Sequence, residues 1–163
     1  MKTLYLLRHA KSSWAEAGLS DHDRPLNKRG KKAAPRMGQL LADRDLLPDL
    51  IICSTAVRAR QTVELLVPES GYSGQITFEP RLYMAPREAY WEVLGELDDE
   101  FGSVMTVAHN PGISNVLLHL TDCSLHFPTA GLAQIELPID RWSELESDTS
   151  GRLVEFWRPK ELD

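Results

Sequence analysis

Arg8 and His9, the stretch from Ser54 to Arg58, and His109 are the parts of this sequence best equipped to act on an anion. Each follows a short apolar run: Leu-Tyr-Leu-Leu from Leu4, "DLIIC" from Asp49, and "SVMTVA" from Ser103. Apolar runs of that length, rich in branched residues, read as strands buried on both faces. In open parallel sheets ligands collect at the carboxyl ends of the strands. One sheet edge would then carry two arginines and two histidines. A guanidinium is a rigid fork that matches a phosphoryl group and keeps its charge at any physiological pH. A neutral imidazole is a competent nucleophile near pH 7. Helix N-termini expected near Ser54 and Asn110 would add backbone donors for an anion. Singly, each residue has a bland reading, since a histidine after a strand is more often structural and an arginine in a first helical turn more often solvated. Their coincidence at three strand ends points to phosphate.

The elements that must hold these residues follow from periodicity. Strands are expected at residues 2–8, 49–54, 103–109, 132–137 and 153–157, with a shorter one at 76–78. Helices are expected from about Lys28 to Leu47, over 55–67 with Ser54 as cap, over 86–98, and from Pro111 to about Thr121 with Asn110 as cap. Pro35 suits a first-turn position better than a helix interior. Strand–helix alternation over most of the length predicts a single domain, residues 1–163, of α/β class: three layers with a mostly parallel central sheet.

Composition bounds the function. The net charge of −6 argues against a nucleic-acid partner, whose phosphates need a basic face. A small phosphorylated ligand needs only a local cluster of cations. No apolar run reaches the length of a membrane span, and the start reads straight into a strand without a cleavable signal, so a cytoplasmic protein is expected. Cys53 and Cys123 are expected to be reduced core residues. No spacing of histidines and cysteines suits a metal, and neither metal nor cofactor is expected.

Together, "LLRHAKSSW", "ICSTAVRARQT" and "VAHNPGIS" resemble the histidine phosphatase superfamily, and within it the short SixA-like phosphohistidine phosphatases. The resemblance runs from residue 2 to about 135. It implies the phosphoglycerate mutase-like fold, with His9 as the nucleophile that accepts a phosphoryl group and Arg8, Arg58 and His109 holding its oxygens. It selects Arg58 over Arg60, which lies four before Glu64 and can pair with it on an exposed helix face. Ser12 falls where the family has a pocket serine, or else opens a helix. "DRPLNKRG" resembles the family's Arg-x-Leu-x-x-x-Gly segment, which would set Arg24 at the pocket mouth; the blander alternative is an ion pair with Asp21 or Asp23.

Two departures matter. Ala10 replaces the glycine of the Arg-His-Gly triplet, a change with consequences if that position needs positive φ. Met84 stands where mutase-like members place a proton-donating glutamate; Glu88 is close but off the spacing. An alkoxide leaving group needs a proton in the transition state, whereas imidazole is a far weaker base. The expected activity is therefore metal-independent removal of a phosphoryl group from phosphohistidine on a protein. The first alternative is a small-molecule phosphomonoesterase with Glu88 or a loop aspartate as proton donor. The second is a module that binds a phosphorylated partner without turnover. The partner is thus a phosphorylated protein or a small phosphorylated metabolite. His126 and Thr129 are expected to border the pocket, and His119, Trp142 and Trp157 to be packing residues.

Overall fold

A computed structural model describes residues 1–162. Six strands form one sheet in the order β3-β2-β4-β1-β5-β6: β1 Lys2–Arg8, β2 Leu50–Ser54, β3 Gln75–Glu79, β4 Ser103–Ala108, β5 Leu132–Leu137 and β6 Arg152–Trp157. The first four are mutually parallel, while β5 runs antiparallel to both β1 and β6. The helices are α1 Lys28–Asp43, α2 Val57–Ser70, α3 Arg87–Gly95 and α4 Gly112–Thr121.

The alternation within each strand decides which helices cover which face. Leu4, Leu6, Leu50 and Ile52 pack with Tyr90, Val93, Ile113 and Val116, which places α3 and α4 on one face. Tyr5, Leu7, Ile51 and Cys53 pack with Met37, Leu40, Leu41, Val63 and Leu66, which places α1 and α2 on the other. The fold is the expected three-layer α/β/α arrangement. β1 is central because both of its faces are apolar: Leu4, Leu6 and Leu7 are fully buried, each contributing about 1.5–3 kcal/mol.

Several local expectations shift. α1 starts at Lys28 as expected, with the Asn27 side chain accepting a hydrogen bond from the Gly30 amide, but it ends at Asp43 and holds Pro35 well inside. The buried stripe of Ala34, Met37, Leu40 and Leu41 outweighs the local cost of that proline. α2 likewise continues through Pro68 to end at Gly71 in the left-handed conformation, φ 77°. Ser54 does not cap it; the capping position is Ala56. In α4 the capping position is Pro111 and the helix begins at Gly112, one residue later than expected, although the Asn110 side chain accepts from the Ser114 amide and hydroxyl. Cys53 is buried but Cys123 only half-buried, and both thiols are free.

Two glycines allow the closest approaches near the carboxyl edge. A Cβ on Gly30 would stand 2.2 Å from the Lys11 carbonyl oxygen, and one on Gly112 2.2 Å from that of Ala85. Both obstacles are backbone and cannot swing aside. Gly30→Ala should therefore lose about 1–3 kcal/mol in urea unfolding through overpacking. Gly95→Ala, where a Cβ meets nothing within 4 Å, should gain about 0.4–1 kcal/mol. Equal effects at the two positions would contradict this packing.

Candidate active site

The parallel register brings the chemistry together. Arg8 at the end of β1 pairs with Ala108 at the end of β4, and the His9 amide donates to the Ala108 carbonyl at 3.0 Å. His9 and His109 therefore leave adjacent strands side by side, with ring centroids 5.1 Å apart. β2 lies on the other side of β4, so Ser54 at its end reaches His109: its Oγ is 2.7 Å from Nε2. Arg58 follows in the first turn of α2. His9, His109 and Arg58 are all buried, and Arg8 is half-buried.

The backbone of the Arg8-His9 pair is fixed from two directions. The Ala130 amide donates to both the Arg8 and His9 carbonyls, at 3.1 and 3.0 Å. The Ala10 amide donates to Thr62 Oγ1 at 2.9 Å, and the Thr62 hydroxyl donates to the Arg58 carbonyl at 2.7 Å. Thr62 thus couples the loop after β1 to α2. Its neighbour Gln61 accepts from the Leu26 amide at 2.9 Å. Ala10 is fully buried and is not among the residues with positive φ, so alanine fits where the family triplet has glycine.

Hydrogen bonding sets the tautomer of His9. Its Nδ1 lies 2.7 Å from the Ala10 carbonyl, which can only accept. Nδ1 therefore carries the proton and Nε2 keeps its lone pair. Burial, then the charges of Arg58, Arg8 and Arg24, push His9 from its ordinary 6.5 to about 4, against an upward pull from the Ala10 bond. Burial, then His9 and Arg58, push His109 to about 3. Both rings are neutral near pH 7.

Arg8 donates through Nη1 to the Phe127 carbonyl at 2.9 Å. Arg58 donates through Nη1 to the Asp21 carbonyl at 2.8 Å and through Nη2 to Asp21 Oδ2 at 3.1 Å. Three buried nitrogens of the cluster have no partner: Arg8 Nε, Arg58 Nε and His109 Nδ1. Among the described residues the only other buried side-chain polar atom without one is Thr106 Oγ1. Buried polar groups are almost always paired, so three orphans in one cluster call for a ligand rich in acceptor oxygens.

The remaining expected residues fall as follows. Arg24 is buried, pairs with Asp21 at 3.2 Å and donates to the Ser13 carbonyl, while its guanidinium lies 3.4 Å above the Trp14 ring. It takes the ion pair and still stands close enough to depress His9. Ser12 is buried in an antiparallel bridge to Leu26 and opens no helix. Arg60 lies over the Phe78 ring at 4.9 Å. Glu88 sits at the start of α3, with its side chain 72% exposed and 3.5 Å from Arg87, and contacts none of the four clustered residues. Met84 has φ 52°, is exposed, and lines a cavity of about 280 Å³ together with His109. His126 and Thr129 share a groove with Arg8. His119 bonds the Ser147 carbonyl and meets the Trp91 ring edge-on, while Trp142 is fully buried and Trp157 nearly so.

Tyr83, and the contact of Asp21 with Arg58, are what sequence reasoning did not place here, although it offered Asp21 as a partner of Arg24. Asp21 bridges Arg58 and Arg24, and the Tyr83 hydroxyl donates to its Oδ2 at 2.6 Å. Tyr83 also meets His109 edge-on at 5.5 Å. The Tyr83 bond and then Arg58 hold Asp21 down to about 2, so it is an ionised partner of the arginines near neutral pH.

Residues 4–83 match the Histidine phosphatase superfamily (branch 1). An uncharacterised protein of Mycobacterium leprae is 34% identical over 94% of this chain and its own full length. The chain belongs to the histidine phosphatase superfamily. A structure of the SixA protein of Agrobacterium tumefaciens, an inferred phosphohistidine phosphatase, superposes with a TM-score of 0.83 at 34% identity, covering 97% of this chain and 98% of that one. A protein histidine phosphatase SixA solved with tungstate shares the fold at TM-score 0.83 and 21% identity, covering 99% of each chain. As a superfamily member the chain carries Arg8, His9, Arg58 and His109 in one cluster, with Asp21 beside it.

Two measurements follow from the electrostatics. Nitrogen NMR of the free protein should show His9 protonated on Nδ1 and titrating near pH 4; the Nε2–H tautomer or a midpoint near 6.5 would contradict the geometry. Because the folded rings refuse protons that the unfolded chain accepts, stability should fall as pH drops from about 6.5 towards 4. His9→Gln should lose part of that fall in urea titrations, relative to the native sequence.

Proposed function

We propose that the protein hydrolyses a phosphoryl group by way of a phosphohistidine intermediate on His9, and that its substrate is phosphohistidine on another protein. The observation that carries this reading is the trio of unpartnered buried nitrogens beside the free lone pair of His9. A tetrahedral anion would satisfy all three and bring its phosphorus against Nε2.

In the first step Nε2 attacks phosphorus and the bond from phosphorus to the substrate's imidazole nitrogen breaks. The departing imidazole takes a proton from solvent. In the second step water attacks phosphorus, the bond to Nε2 breaks and orthophosphate leaves. The moving group is little bonded in such transition states, so clamping its oxygens supplies most of the help. Arg8, Arg58 and neutral His109 are the clamp, and the fixed positive charge of the two arginines takes the role a metal ion has in other phosphoryl-transfer enzymes. Asp21 orients Arg58 and offsets part of the buried charge.

The choice of substrate rests on the acid. Asp21 is the carboxylate in contact with the cluster, and at about 2 it is ionised and has no proton to give. That suits a leaving group which needs no acidic side chain, and imidazole, protonated from solvent, fits that description better than an alkoxide does. The rim fits a protein substrate: Trp14, on the loop after β1, is 78% exposed, and Met84, after β3 and beside His109, is 63% exposed. Phosphomonoester hydrolysis is the second reading, favoured by the position of Asp21 were it to gain a proton when substrate displaces Arg58.

Phosphoramidate should be hydrolysed in preference to an alkyl phosphate. His9→Ala should abolish turnover and Arg58→Ala should lower kcat/KM by about two to three orders of magnitude, the loss typical of a single oxyanion donor. Glu88→Gln should leave both rates unchanged. Undiminished turnover by His9→Ala would reject the intermediate. A preference for the alkyl ester that disappears in Asp21→Asn or Glu88→Gln would favour the phosphomonoesterase.

A further inference from the structure

Arg8 has a second environment. It lines a groove of about 530 Å³ whose other cations are Lys11, Arg29, Arg158 and Lys160, against one carboxylate, Glu161. These residues come from four places in the chain: the end of β1, the loop beyond it, the first turn of α1, and the segment after β6. Arg158 is the member with a described ion pair, 3.8 Å from Glu161. Lys11, Arg29 and Lys160 are exposed and have no ion pair among the described residues. In a chain of net charge −6, five cations facing one carboxylate make a strong local reversal of sign.

We propose that this groove docks an acidic segment of the phosphorylated protein, next to the phosphohistidine held at His9. The inference rests on the protein-phosphohistidine reading above and adds the chemistry of the partner. Two observations favour an acidic polypeptide over a small anion. The groove is far larger than one phosphate, and its unpaired cations stand along an exposed rim where several dispersed carboxylates can meet them. A small anion would be held by buried, converging donors, which here belong to the phosphate cluster. Negative charge on the rest of the chain repels an acidic partner elsewhere, so encounter is steered to the groove.

The test uses two phosphohistidine peptides of equal length, one with four glutamates beside the phosphohistidine and one with glutamines in their place. The native protein should process the glutamate peptide with about tenfold higher kcat/KM at low salt, because exposed ion pairs are individually weak but three act together. The preference should shrink at 0.5 M salt. Lys11→Ala/Arg29→Ala/Lys160→Ala should lose it while hydrolysing phosphoramidate at the native rate, which also shows that the variant is folded; Lys160→Glu alone should reduce it. Turnover of both peptides at equal rates, or a preference that persists in the triple variant, would overturn the groove alone. Failure on both peptides beside rapid hydrolysis of an alkyl phosphate would overturn the phosphohistidine reading and the groove with it. Salt-sensitive binding of a single-stranded oligonucleotide without any peptide preference would assign the groove to a different partner and overturn the proposal.

Discussion

Positive charge gathered in a buried corner without its counterion is the condition around which this molecule is built. Arg8 and Arg58 each lower both imidazoles, and burial, then Arg58, lowers Arg8 itself. An unfolded chain suffers none of this repulsion. The folded chain accepts it because two apolar layers clamp the strands whose ends deliver these residues, and because the exposed carboxylate of Asp21 pairs with Arg58. What is left is a site whose strongest unmet demand is for an anion. Burial, helped by the same field, keeps both histidines neutral, so the residue proposed as nucleophile retains its lone pair in the presence of two arginines.

Rigidity comes from bonds that are individually ordinary. Thr62 links the amide of Ala10 to the carbonyl of Arg58, and Ala130 ties down both carbonyls of the Arg8-His9 pair. Ser54 fixes one nitrogen of His109 and the Ala10 carbonyl fixes one of His9. Each contact settles an orientation and leaves the opposite nitrogen of the ring without a partner. The site is ordered by groups that do not compete for its open valences.

The site strands β1, β2 and β4 were legible in the sequence because both of their faces are covered, so their residues read as nearly unbroken apolar runs. The meeting of Arg8, His9, Arg58 and His109 was legible for a related reason: parallel strands end along one edge, and each residue closes or follows such a run. Ser54 was misread as a helix cap, since a serine before a helix commonly has that role and its real partner, His109, is 55 residues away. Asp21 was legible as a partner of Arg24, but nothing local pointed it at Arg58 or brought Tyr83 to it. Asp21 lies in a polar loop with other turn residues, and its contact with Tyr83 spans 62 residues. Pro35 misled in the opposite direction, because burial of a helical stripe overrode a local penalty that sequence reading weighed alone.

The central claim is that one tetrahedral anion closes the cluster. A crystal structure of the protein with vanadate tests it most directly. The account predicts vanadium within bonding distance of His9 Nε2, with its oxygens accepting from Arg8 Nε, Arg58 Nε and His109 Nδ1. Vanadate bound elsewhere on the surface, or a cluster that stays closed by Asp21 with those three nitrogens still unpartnered, would contradict it.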